Sequence, residues 1–215
     1  MELVEENQKT PLTFLLLFTT GVVLASELLT RVLMSGQTSI TNQFYWLLDR
    51  TAGITSYELL ALSSILGVSM TSGLWDKHGL RKWAKQLHQY TTLLFVPFLG
   101  LHLFGLYQDT SVPFSLPSLL IPFHATYHPL LTALGVLSFY GSLVLVFSSY
   151  LRKYISMKAW RTIHFLSFPL FLAVTVHGFF GGTDSKTLVG FLLYAIPFGL
   201  FVGFTMQRVL VMKGR

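Results

Sequence analysis

Apolar stretches of about twenty residues, the length a helix needs to cross a bilayer, recur along this chain and are separated by short polar segments. The pattern predicts six spans, at residues 11–33, 52–70, 86–107, 129–150, 161–180 and 187–207. Between them lie a polar turn at 36–42, a basic loop at 75–85 (WDKHGLRKWAK) and a loop rich in Pro and Ser at 109–122. No segment is long enough for a sizeable soluble domain. The expected organisation is a tail at 1–10, a six-helix membrane domain at 11–209 and a second tail at 210–215. Residues 1–10 (MELVEENQKT) lack the cationic start of a secretory signal, so the first span should stay in the mature protein.

Composition agrees with a membrane solvent. Of 215 residues 52% are hydrophobic and 11% charged, and the mean hydropathy is +0.59, a balance that ordinary soluble domains do not show. The expected class is an all-α membrane protein, a six-transmembrane-helix bundle that passes several times through the cell (plasma) membrane. There is no cysteine, which excludes disulfides, cysteine-held iron–sulfur clusters and c-type haem attachment. The net charge of +6 reflects short basic loops and not a nucleic-acid module, and no nucleic-acid partner is expected. Lys77, Arg81, Lys82 and Lys85 follow the second span, Arg152, Lys153, Lys158 and Arg161 follow the fourth, and Arg208, Lys213 and Arg215 follow the sixth. The opposite loops are poor in cations, so the positive-inside rule puts both termini in the cytoplasm.

Four histidines change the picture. His88 and His102 lie fourteen residues apart on the third span, about 21 Å along a helix and within roughly 40° of one face. His164 and His177, thirteen apart on the fifth, are about 20 Å from each other. Both spans run outward, so His88 meets His164 near the cytoplasm and His102 meets His177 near the outside. A lone imidazole in a membrane is most often a hydrogen-bonded core residue. Four at matched depths on two co-directional helices point instead to two haems between the third and fifth helices, each with two axial histidines, a state suited to electron transfer. Thirteen residues leave His177 roughly 140° off the face of His164. Pro169, between them, permits a kink that would bring it back, and Pro97 breaks the third helix likewise; simple tolerance of proline in a membrane helix explains both as well.

Other residues fit around such groups, each with a plainer explanation beside it. Gly100, Gly105 and Gly178 could let a macrocycle approach the backbone, or serve helix packing. Phe95, Phe168 and Phe171 could fill the gap between the two depths, or be ordinary core. Arg81, Lys82, Lys85 and Arg161 could face carboxylates of the inner group, or act as topology signals only. Arg31, Arg50, Glu27 and Glu58 could form an ion-paired cluster under the outer one. His124 and His128, spaced i,i+4, could hold a metal ion or pass a proton, or lie on the surface.

The chain resembles the transmembrane domain of the ferric reductase and NADPH oxidase family. The residues that carry the resemblance are H-x13-H at His88 and His102, H-x12-H at His164 and His177, RTAGITSYELLALSSILG from Arg50, and WRTIHFLSFPLFLAVTVHGFFGGTDS from Trp160. The resemblance implies two b-type haems on those four histidines and places Arg50 near the outer haem, where acceptor is reduced. Two departures stand out. No flavin or nicotinamide motif is present, so FAD or FMN would enter only through a partner. Leu106 stands where oxygen-reducing members tend to place another histidine, which weighs against superoxide production.

The expected function is therefore transmembrane electron transfer, as the membrane component of a ferric-reductase-like oxidoreductase. A cytoplasmic flavoprotein reductase, reduced flavin or quinol would be the donor, and an external electron acceptor would lie beyond the lipid bilayer. Close beside it stands a haem-bearing subunit that serves a soluble reductase, as in the periplasmic methionine sulfoxide reductase system. A haem-free proton or metal transporter is the alternative from another class.

Overall fold

The computed structural model describes residues 12–34 and 44–213, and among them every regular element is helical. The expected tail at 1–10, the turn at 36–42 and the end of the second tail lie outside the described residues. The chain divides into two units, 1–37 and 38–215. The first holds α1 (Leu12–Met34), a 23-residue helix in which Arg31 pairs with Glu27 one turn earlier at 2.6 Å.

The second unit runs through α2 (Phe44–Ser69), α3 (Leu74–Lys77), α4 (Arg81–Gln108), α5 (Leu116–Leu120), α6 (Pro129–Tyr150), α7 (Met157–Phe165), α8 (Ser167–Gly181) and α9 (Leu188–Lys213). Among the described residues, five helical stretches are long and apolar enough to cross a membrane: Phe44–Ser72, Arg81–Gln108, Pro129–Tyr154, Met157–Gly181 and Leu188–Leu210. They correspond to the second to sixth expected spans. Large apolar side chains such as Leu93, Phe104, Leu130 and Phe180 remain exposed on their outer faces, where lipid would cover them.

Two boundaries differ from the expectation. α2 begins at Phe44, eight residues before the predicted 52, and so takes in Asp49 and Arg50. The charge does not end the helix because Arg50 is neutralised there: its guanidinium forms an ion pair with Asp184, donates to Thr183 Oγ1 at 2.7 Å and covers the Trp46 ring at 4.0 Å. The fifth span is not one helix but two, α7 and α8, separated at Leu166. Pro169 has no N–H to offer the carbonyl of Phe165, four residues back, and the helix parts at that point. Pro97, by contrast, sits inside an unbroken α4. It is exposed on the outer face, and the expected break there does not occur.

α2 is the hub, and small buried residues make it so. Thr51, Ala52, Thr55, Ser56, Ala61, Ser63 and Ser69 are all buried, letting neighbouring backbones come close. α4 packs along its whole length, and a Cβ added at Gly105 would lie 2.7 Å from the Asp49 backbone nitrogen. On its other side α2 meets α8 and α9 through Tyr57, Ala61, Val68, Phe171, Tyr194 and Phe201. α6 packs on α8. α4 and α8 make no extensive contact with each other; the space between them, walled by α2 and α6, holds two cavities.

Candidate functional site

The two cavities separate the four histidines into the two expected pairs. His102 and His177 line one, of about 320 Å³; His88 and His164 line the other, of about 710 Å³. Both volumes fall in the range of small-molecule and cofactor sites, the first near its lower end. Phe95 of α4 and Ser142 of α6 belong to both linings and so mark the division between them. Phe95 thus takes the intermediate place expected of it. Phe171 lies instead in the α2–α8–α9 core, and Phe168 in the wall of the His88 cavity. The break at Leu166 accompanies the result that His164 and His177 face one side despite their spacing.

A single local device holds three of the four rings. His102 Nδ1–H donates to Asp49 O at 2.8 Å, and a Cβ on Gly53 would lie 2.9 Å from that ring. His88 Nδ1–H donates to Ser63 O at 2.8 Å, and a Cβ on Gly67 would lie 3.4 Å from the ring. His177 Nδ1–H donates to Leu131 O at 2.7 Å, and a Cβ on Gly135 would lie 2.6 Å from the ring. Each imidazole therefore uses the carbonyl of residue i on the neighbouring helix and the clearance given by glycine at i+4. A helix carbonyl points toward residue i+4, so only a missing side chain there lets a ring reach it. With Nδ1 carrying the proton, Nε2 is left with its lone pair, ready to bind a metal. The His88 ring has further support from Ser63 Oγ, 2.9 Å from the same nitrogen and 2.7 Å from Thr92 Oγ1.

His164 is the exception. Its Nδ1 is buried and has no hydrogen-bond partner. The ring stacks on Trp160 at 4.8 Å and 17°, and faces His88 with ring centroids 6.2 Å apart and planes at 81°.

No family model, no curated protein and no solved structure matches this chain. Among the described residues, no group of three or more His, Cys, Asp and Glu side chains could hold a bare metal ion.

The remaining expected residues fall into place unevenly. Arg50 lines the His102 cavity, and its ion-pair partner within the second unit is Asp184, not Glu58. Arg31 and Glu27 pair within α1, and Glu58 Oε1 is buried without a hydrogen bond. Arg161 lines the His88 cavity. Arg81 lies outside both linings, paired with Asp76 at 2.6 Å on an exposed surface. Gly105 and Gly178 are filled against Asp49 and Tyr194, and no atom comes within 4 Å of a Cβ at Gly100. His124 and His128 do not share a helical turn, because 121–128 is irregular and His128 has a left-handed backbone with φ of 41°. His128 reaches the His102 cavity and His124 is exposed.

The sequence pattern does not single out Ser63, Gly53, Gly67 and Gly135, the Asp184 partner of Arg50, or a place for Arg208 in the wall of the His88 cavity. One signal for them was present. Gly53 and Gly67 are fourteen residues apart, the same interval as His88 and His102, and so are Asp49 and Ser63.

Proposed function

We propose that this chain is a membrane cytochrome b similar to the ferric reductase transmembrane domain, carrying single electrons across the bilayer through two b-type haems. On this reading α1 is the sixth crossing, both termini are cytoplasmic, and the His88 and His102 cavities are the inner and outer sites. The observation that carries it is the pair of stacked cavities, each walled by one histidine from α4 and one from the α7–α8 pair. His88 and His164, with ring centroids 6.2 Å apart, would hold one metal between them. Three buried Nδ1–H groups donating to carbonyls present their Nε2 lone pairs as bis-histidine haem ligation needs.

When bound, such haems would supply one-electron chemistry. The protein's own residues fix the ring planes, exclude water through apolar walls, and separate the two sites at Phe95. Arg161 and Arg208 at the inner cavity, and Arg50 at the outer one, supply cations toward carboxylates. The cations at the inner end, Lys77, Arg81 and Arg152 among them, suit an acidic flavoprotein as donor; reduced flavin or quinol are the other sources. An external oxidant receives the electrons beside Arg50.

Haem content per chain and reduced-minus-oxidised spectra test this on the wild type and on His88→Ala and His102→Ala. Two haems are expected in the wild type and one in each variant. A colourless protein after expression with ample haem, or a variant that keeps both haems, would overturn it.

A further inference from the structure

The device that seats three histidines is missing for the fourth, and the sequence says why. Leu131 and Gly135 on α6 serve His177. One interval of fourteen further along α6 come Leu145 and Ser149, which line the His88 cavity together with His164. Serine replaces glycine at the position that must be bare. The carbonyl is also taken: Leu145 O accepts from Ser148 Oγ at 3.0 Å and from Ser149 Oγ at 2.9 Å. Trp160, the ring stacked on His164, has no acceptor to offer, and its own Nε1 is buried without a partner.

Two further features isolate His164. It sits on α7, nine residues long with none of them buried, and the break at Leu166 separates it from the better-packed α8. Its cavity has more than twice the volume of the other, about 710 against 320 Å³. The ring opposite, His88, is fixed by both the carbonyl and the hydroxyl of Ser63.

We infer that the His88 cavity is a ligand-exchange site, in which His164 is the labile axial ligand and a small neutral molecule of the carbon monoxide class takes its place. This rests on the haem reading above. A ligand imidazole gains basicity by donating its other N–H; His164 does not donate, so its bond to the metal is the weaker one. In the exchange the iron–Nε2 bond breaks, its electron pair staying on the imidazole, and an iron–carbon bond forms from the lone pair of carbon monoxide. No proton or net electron moves. His102 and His177, both tied to carbonyls, retain their outer haem against the same ligand.

The test uses the full chain in detergent, reduced with dithionite and titrated with carbon monoxide. Half of the haem is expected to change its Soret band in the wild type. The response persists in His102→Ala and is lost in His88→Ala. The double variant Ser148→Ala/Ser149→Gly frees the Leu145 carbonyl and clears the approach to it, and should weaken carbon monoxide binding by about tenfold or more. A two-haem wild type with no response overturns the inference while leaving electron transfer in place, as does a response that survives in His88→Ala. A colourless protein removes both.

Discussion

An imidazole that must point one nitrogen at a metal needs an acceptor for the other and space for its edge, and on a helix neighbour both come from residues i and i+4. The clearances rank the consequences. Gly135→Ala would put a Cβ 2.6 Å from His177 and Gly53→Ala one 2.9 Å from His102, closer than carbon atoms tolerate, whereas Gly67→Ala leaves 3.4 Å to His88. Gly135→Ala and Gly53→Ala should therefore each lose the outer haem, and Gly67→Ala should keep both, as pyridine haemochrome assay per chain would record. Ser63→Ala keeps the carbonyl that holds His88 and removes only the hydroxyl, so haem affinity at the inner site should fall by about tenfold or less, at or below the usual effect of a supporting hydrogen bond. At this scale the histidines were legible, because an interval of fourteen returns to one helix face. Their seats were not read, although Gly53 and Gly67 repeat that interval. The Asp184 partner of Arg50 was illegible for another reason: 134 positions separate them, and nothing local links the two.

Among the elements, the two prolines behave differently and can be told apart by experiment. Pro169→Ala restores the donor missing beneath Phe165 and favours a continuous fifth helix. Thirteen regular residues would then turn His164 roughly 140° away from His177, so this variant should hold one haem per chain. Pro97→Ala, in a helix already unbroken, should hold two. Quantitative spectra of the two variants beside the wild type decide it. Apolar length alone located the five helices of the second unit that are long enough to cross a membrane, since twenty residues without charge have few other uses. It misplaced the start of α2, because Arg50 reads as a boundary until its partner and the Trp46 ring are known.

For the molecule as a whole, the Arg50–Asp184 pair ties α2 to the connection before α9, with side chains only 17% and 13% exposed. Asp184→Asn leaves a largely buried guanidinium with weaker partners and should lower unfolding stability by about 1–3 kcal/mol. Arg81→Gln breaks a pair whose side chains are 59% and 49% exposed and should change it by about 0.5 kcal/mol or less. Thermal unfolding of the two variants in one detergent measures the difference. The pairing of α4 with α2 has a consequence for biogenesis. The α2 seats for His88 and His102, carbonyls and clearances included, and the two α4 imidazoles they hold are complete once residue 108 has been synthesised, while the opposing imidazoles arrive only with residues 164 and 177. About 56 residues separate residue 108 from His164 and about 69 separate it from His177, roughly 3–14 s of translation at 5–20 residues per second. On the haem reading, a chain threading into the bilayer thus offers one-sided half-sites throughout that interval, and closure around the prosthetic group becomes a late, post-insertion event.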